Sequence, residues 1–456
     1  ERAAREVVSD AQPFAAPPAE LVSDDGRFRV RWLFARNRRQ AGPATAEVVI
    51  ERWPLSRIIP DLVASGRLRD AVERIGSSDE PGRERAEQLD HVAAAIVTRA
   101  LVRGTARTAA VDAIARARLE QLREHLVPLL DSESVYLRRR VVRAYAAIGG
   151  DLQPLRVHLS SEDPAVARMV ARALKASGQG RFVAAEVGAS LANGPVSIAI
   201  LGVLAEVPSR SAMPRLLQIS ESGGREARRA AFAALAAIAA EPEATRTLIR
   251  ATRNRDAGVR IAACEALARS SADLSAYRAA SRALRDRDHR VRGACATAAA
   301  RLSPAAFRRK LRLFDGEQPL AVQLGLARAL AVVPGAAALK RLLALGQTAD
   351  PEVRLAVVRS LVERSEPEAR VAVDEMASDG NVSVRLAATE HSSSTTTLTR
   401  ALSDPAPRVR FAALERVARR DGRVGAVDQA LALLGDGQEA LQVAAAGAWL
   451  GARLAE

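Results

Sequence analysis

The sequence predicts an all-α protein, a right-handed α-α superhelix of stacked helix pairs (an α-solenoid). Three observations predict it. The stretch Asp350–Glu363, DPEVRLAVVRSLVE, is one copy of a unit that recurs about twelve times. Anchored on the first apolar residue, the copies start at Ala106, Leu137, Val166, Val196, Ala227, Val259, Val291, Val322, Val353, Val384, Val409 and Leu441. Successive gaps are 31, 29, 30, 31, 32, 32, 31, 31, 31, 25 and 32 residues, and a period of this size marks a repeat array. Aromatic residues are only 3% of the chain, too few for a conventional large core but sufficient for an Ala/Leu-filled stack.

The columns of the repeat give its packing. Four residues past the anchor come Ala110, Val141, Val170 and their equivalents; eight past it come Ile114, Tyr145, Leu174 and theirs, ending at Trp449. Anchor, +4 and +8 share one helical face, so they form the buried stripe of the second helix of each pair. The first helix is the apolar run before the turn, as in Ala338–Leu345. A single pair cannot bury both its faces, so neighbours stack. At the ~8–10 Å spacing of packed helices, twelve pairs make an open arc on the order of 100 Å long.

The chain before the repeats reads differently. Residues 1–53 form an N-terminal extension with a small β-hairpin. In RFRVRWLF, Phe28, Val30, Trp32 and Phe34 alternate with Arg27, Arg29 and Arg31, and Ala46–Trp53 supplies the second strand. Residues 54–104 are helical without the repeat signature, and a cap over the first repeat's open face is expected there. Residues 105–456 are the solenoid. In it, the 25-residue gap after Val384 forces a first helix out of SSSTTT, poor helix formers, which predicts a weak joint. After Trp449 little polar cap remains, so the C-terminal end is expected to continue into a partner.

The Asp-Pro-x-Val-Arg start, clearest at Asp350–Arg354 and echoed at Asp256–Arg260 and Asp288–Arg292, resembles HEAT repeats, in particular the short bacterial type related to phycobilin-lyase repeats. The resemblance covers roughly residues 105–456. It implies that the turn Asp and the Arg after the anchor form a ladder between repeats, making Arg138, Arg228, Arg260, Arg292, Arg354, Arg385 and Arg410 structural. Ser197, Gln323 and Gln442 depart from that column, where the ladder is expected to break. Such a motif speaks for fold and hardly at all for function.

Charge is the one functional signal. The excess is +15, from 68 Lys+Arg and 53 Asp+Glu. Residues 1–104 hold 17 basic and 16 acidic residues, leaving 51 − 37 = +14 on the repeats. Within these, residues 244–312 hold 17 basic and 5 acidic residues, net +12. Arg246, Arg250 and Arg253 are spaced i, i+4, i+7, and Arg278, Arg282 and Arg285 repeat that spacing one unit later. Arg309 and Lys340 extend the first column, with Arg308 and Arg312 beside it. Like charges at i, i+4 cost a few tenths of a kcal/mol each, and no acid on Leu274–Arg285 relieves them. These ten residues are the candidate partner-binding stripe.

No catalytic constellation accompanies it. The five histidines share no repeat column and form no HExxH pair, and none is followed by Glu, so the His-Glu ligand pairs of deoxyhypusine hydroxylases are missing. No phosphate loop and no Gly-x-Ser-x-Gly elbow occurs. Cys264 and Cys295 read as small buried residues with no disulfide framework, fitting a reducing compartment. No run of about 18 apolar residues is present, hence no spanning helix. The expectation is a non-enzymatic scaffold or adaptor with no cofactor and no metal, holding a protein partner with an acidic surface. Nucleic acid or an anionic membrane surface are the alternatives for the stripe. A cytoplasmic location is expected, with a membrane tether upstream of Glu1 left open and the oligomeric state undetermined.

Overall fold

In a computed structural model, residues 53–103, 105–238, 240–270 and 274–453 are described, with Ser23 and the backbone of 29–32 and 46–49. The chain forms two compact units, residues 1–92 and 93–456. In the first, helices Leu55–Ala64 and Leu68–Gly76 pack together, and Leu55 N–H donates to Glu80 Oε1 at 2.7 Å. Backbone pairing joins Arg29–Trp32 antiparallel to Ala46–Val49. The connecting loop, Phe34 and every strand side chain lie outside the described residues. The expected hairpin, with its apolar face laid on helices, is therefore not supported as a packed element.

The second unit is built on twelve second helices: α1 (Arg107–Ala117), α2 (Val135–Ile148), α3 (Pro164–Ala176), α4 (Ile198–Glu206), α5 (Arg225–Ala237), α6 (Ala257–Leu267), α7 (His289–Leu302), α8 (Leu320–Leu330), α9 (Pro351–Val362), α10 (Val382–His391), α11 (Pro407–Asp421) and α12 (Glu439–Ala452). The turn chemistry sets their starts. Asp163, Asp256, Asp288, Asp350 and Asn381 each cap a helix by accepting from the backbone N–H two residues on. Pro164, Pro351 and Pro407 occupy the first helical position, where no N–H is needed.

The columns pack as expected. Every +8 residue is buried, from Ile114 to Trp449, and so is every +4 residue except the half-buried Ile200. Among the anchors, Leu137, Ala227 and Leu441 are half-buried and Val196 is exposed, at 40%. Helix α4 starts only at Ile198, two residues past this anchor, which leaves Val196 outside the helix.

Each second helix packs on the second helix before and after it, and α12 packs on α1. The stack therefore closes on itself. The open arc expected from the repeat count is replaced by a ring, and the free C-terminal face expected after Trp449 is occupied by the first repeat. The first helices form the outer layer and seldom touch one another; Pro242–Ala251 against Leu274–Ala283 is the clearest case. Close packing inside and sparse packing outside is what bends a stack of pairs. For a circular ring, twelve helices at about 9 Å spacing put opposing axes about 34 Å apart, leaving a lumen about 24 Å wide.

The seam explains the glycines of α12. A Cβ on Gly447 would lie 2.6 Å from Ala113 Cβ and 2.8 Å from Ala113 Cα, so only a bare backbone lets α12 approach α1 this closely. Gly451 leaves room for Arg116, which crosses α12 to bond Glu415 on α11 at 2.9 Å. Glu439 accepts from both N–H and Oγ1 of Thr105.

Two further expectations change. Cys264 and Cys295 are joined by a disulfide between α6 and α7, with Cα atoms 5.0 Å apart. They sit one helical position apart in adjacent repeats, close enough to bond, which their separate columns concealed. The SSSTTT tract is pinned rather than weak. Ser394 caps the seven-residue helix Thr395–Ala401, the Ser392 hydroxyl donates to Asp374, and Arg416 donates twice to the Ser392 carbonyl.

Candidate functional sites on the two faces of the ring

The ring places its cations in three settings: between repeats, on the outer helices and around the lumen. Between repeats, Arg260, Arg354 and Arg385 fork onto Asp286, Asp379 and Asp404, with Nε and one terminal nitrogen each 2.7–3.0 Å from the carboxylate. The remaining terminal nitrogen of each donates to carbonyls of its own turn. This bidentate geometry is the strong form of the ion pair. Burial opposes the charge of the three carboxylates, but the arginine fork and one backbone N–H outweigh it and hold all three below the usual range.

These carboxylates stand five residues before the next anchor and are distinct from the capping Asp three before it. The ladder therefore uses a second aspartate, and only where one exists. Arg138, Arg292 and Arg410 make the carbonyl bonds alone, and Arg228 makes neither among the described residues. Gln323 and Gln442, expected to break the ladder, still donate to the turn carbonyls of Gln318 and Asp436. They keep half of the arginine's role.

On the outside, Arg246, Arg250, Arg253, Arg278, Arg282, Arg285, Arg308, Arg309, Arg312 and Lys340 are all exposed. Only Arg250 meets a carboxylate among the described residues, Glu221 at 3.6 Å. Arg246, Arg250 and Arg253 line a shallow hollow of about 670 Å³ with Asn254 and Arg255. The first helix of repeat 8 is Pro304–Arg308 followed by a 3-10 turn at Leu311–Phe314, so Arg308, Arg309 and Arg312 do not share one continuous helix face.

Around the lumen, positions +2, +6 and +10 of the second helices face inward, and most of their arginines are paired. Arg143 bonds Asp112, as does Arg140 from the neighbouring +3 position; Arg168 and Arg172 bond Glu206 at 3.0 and 2.8 Å. Arg229 bonds Glu265 at 3.2 Å, and Arg116 and Arg419 share Glu415. Burial opposes ionisation of Glu206, yet the two arginine bonds hold it below its ordinary range. Sequence reading did not single out this inner set. The signal was available in the offsets from each anchor, which place these residues on the face opposite the core.

Among the described residues, no group of three or more His, Cys, Asp and Glu comes together where a metal could sit. No described helix is long and apolar enough to cross a membrane.

The helix contacts define a closed α-solenoid of helix pairs. No family model matches the chain, and no curated protein matches it. Among solved structures it is similar to an engineered protein at 19% identity and TM-score 0.26, over 85% of this chain and 99% of that one. Human deoxyhypusine hydroxylase in complex with glycerol aligns at 16% identity and TM-score 0.24, over 53% and 98%. Kap121p bound to Nup53p aligns at 13% identity and TM-score 0.29, over 85% of this chain and 46% of Kap121p. The chain thus spans less than half of Kap121p. Likenesses this remote add nothing to the assignment that the helix contacts already make.

Proposed function

We propose that this chain is a HEAT-like, non-enzymatic scaffold that holds an acidic protein partner on the basic sector of its outer helices, residues 244–340. One observation carries the reading: of ten exposed cations there, only Arg250 has a carboxylate partner among the described residues. A solvated face ordinarily mixes signs, as the lumen does. Here the neutralising charge is left to a partner. The three-rung Arg–Asp ladder supports the HEAT-like reading of the scaffold itself.

Native mass measurement of complexes from the host, with wild type and an Arg278→Glu/Arg282→Glu variant, tests this. A stoichiometric protein partner lost in the variant supports the reading, and recovery of the chain alone opposes it. Duplex DNA and anionic vesicles compete for the same surface. A protein gripping duplex through six to ten cations loses roughly 10³–10⁵ in affinity between 50 and 200 mM salt. DNA binding that shows that fall and is lost with the same variant would replace the protein partner by nucleic acid.

A further inference from the structure

The pairing rule of the lumen fails in one sector. Arg168 and Arg172 find Glu206 on the next helix, Arg229 finds Glu265, and Arg143 finds Asp112 on the previous one. On α6–α8 the inward arginines are Arg269, Arg301 and Arg328, at +10, +10 and +6 of their repeats. All three are exposed, and none meets a carboxylate among the described residues. Glu363, at the end of α9, stands at the repeat position relative to Arg328 that Glu206 holds relative to Arg172, but no ion pair joins it to Arg328 among the described residues. A cavity of about 770 Å³ lies here across α5–α8, with these arginines and Ile261, Ala262 and Leu324 among its lining.

We propose that this sector of the lumen, where Arg269, Arg301 and Arg328 meet no carboxylate among the described residues, is a binding groove for an extended acidic peptide segment, separate from the outer basic surface. Charge complementarity names the ligand's sign. The lining names its class: six arginines are set against two glutamates, Glu226 and Glu265, with apolar side chains between them. A phosphate backbone, one charge per step, would leave the aliphatic floor unused. A peptide alternating carboxylates with aliphatic side chains satisfies both features. Three helix spacings of about 9 Å give a groove about 27 Å long, the length of about eight extended residues.

The test uses the full-length protein and a fluorescein-labelled octapeptide of alternating glutamate and leucine. The same peptide with lysine for glutamate, and a 20-nucleotide oligothymidylate, serve as competing probes. Fluorescence anisotropy is read for wild type, for Arg301→Gln/Arg328→Gln, and for the outer variant Arg278→Gln/Arg282→Gln. Binding of the acidic peptide, weakened about tenfold or more by the lumenal variant and unchanged by the outer one, is expected. No binding by wild type, equal binding by the lumenal variant, or tighter binding of oligothymidylate lost with Arg301 and Arg328 would overturn the assignment. A loss confined to the outer variant would assign the peptide to the outer surface and overturn it equally. Because the variants are disjoint, failure here leaves the outer-surface reading standing.

Discussion

Closure of the ring depends on two packed helices rather than on the polar bonds across the seam. Substituting Gly447 by Leu separates the two contributions. The new Cβ would start 2.6–2.8 Å from Ala113 carbons, where carbon–carbon contacts belong at about 3.5–4.0 Å. α12 must then retreat by about 1 Å, which forfeits a quarter to a half of the dispersion energy along the contact. Overpacking of this kind costs about 1–3 kcal/mol, here concentrated on one interface. By contrast, Thr105→Ala/Glu439→Ala removes exposed polar bonds and should cost under about 1 kcal/mol. Hydrogen exchange of α1 and α12, with small-angle scattering, distinguishes the outcomes. Gly447→Leu should speed exchange in both helices selectively and raise the radius of gyration, while the polar double variant stays near wild type. Gly380→Ala is a control, since a Cβ there meets nothing within 4 Å. A Gly447→Leu protein with wild-type exchange in α1 and α12 would mean that the seam is not formed and the solenoid is open.

Three other outcomes follow from the same contacts. Arg354→Ala strands the half-buried Asp379 carboxylate and should cost about 3 kcal/mol, whereas Arg410→Ala, which leaves no stranded carboxylate, should cost about 1 kcal/mol; chemical denaturation of each variant measures the difference. Asp286, Asp379 and Asp404 titrate below the ordinary carboxylate value near 3.9, so their stabilisation is complete above about pH 4 and is lost as the pH falls through their lowered folded values. Melting temperature should hold from pH 7 to about pH 4.5 and drop below that, and a loss centred near pH 6 would contradict the ladder. The denatured, unreduced protein should show no titratable thiol and the reduced protein two; reduction opens a loop of 31 residues, which loop-closure entropy values at about 3–4 kcal/mol, read as a lower melting temperature.

Much of this was legible residue by residue. The +4 and +8 columns located the core because burial follows helical periodicity within one element, and of the arginines after the anchor Arg260, Arg354 and Arg385 form the rungs expected of them while Arg228 does not. The ladder's true acid was missed because it stands two residues before the capping position, an aspartate beside an aspartate at Asp286 and Asp288, and only backbone geometry tells the cap from the rung. Val196 was misplaced because the repeat spacing ran on regularly where the helix itself begins two residues later, at Ile198. The outer cations were legible as a charge excess, but the break at Lys310 in the first helix of repeat 8 was not. The lumenal Arg269, Arg301 and Arg328 escaped notice because each looks ordinary in its own repeat. Their lack of partners shows only when adjacent helices are set side by side.

The sequence by itself determined the module, its buried face and the order of its copies, since all three follow from interactions within some thirty residues. Only the tertiary structure decided that the stack closes, that Cys264 meets Cys295, and which arginines remain unanswered. The physical reason is accumulation. Each pair adds a small wedge angle set by how closely inner helices approach, and no single repeat encodes the sum of twelve. Whether that sum returns α12 to α1, against Gly447 and Ala113, is a property of the whole array.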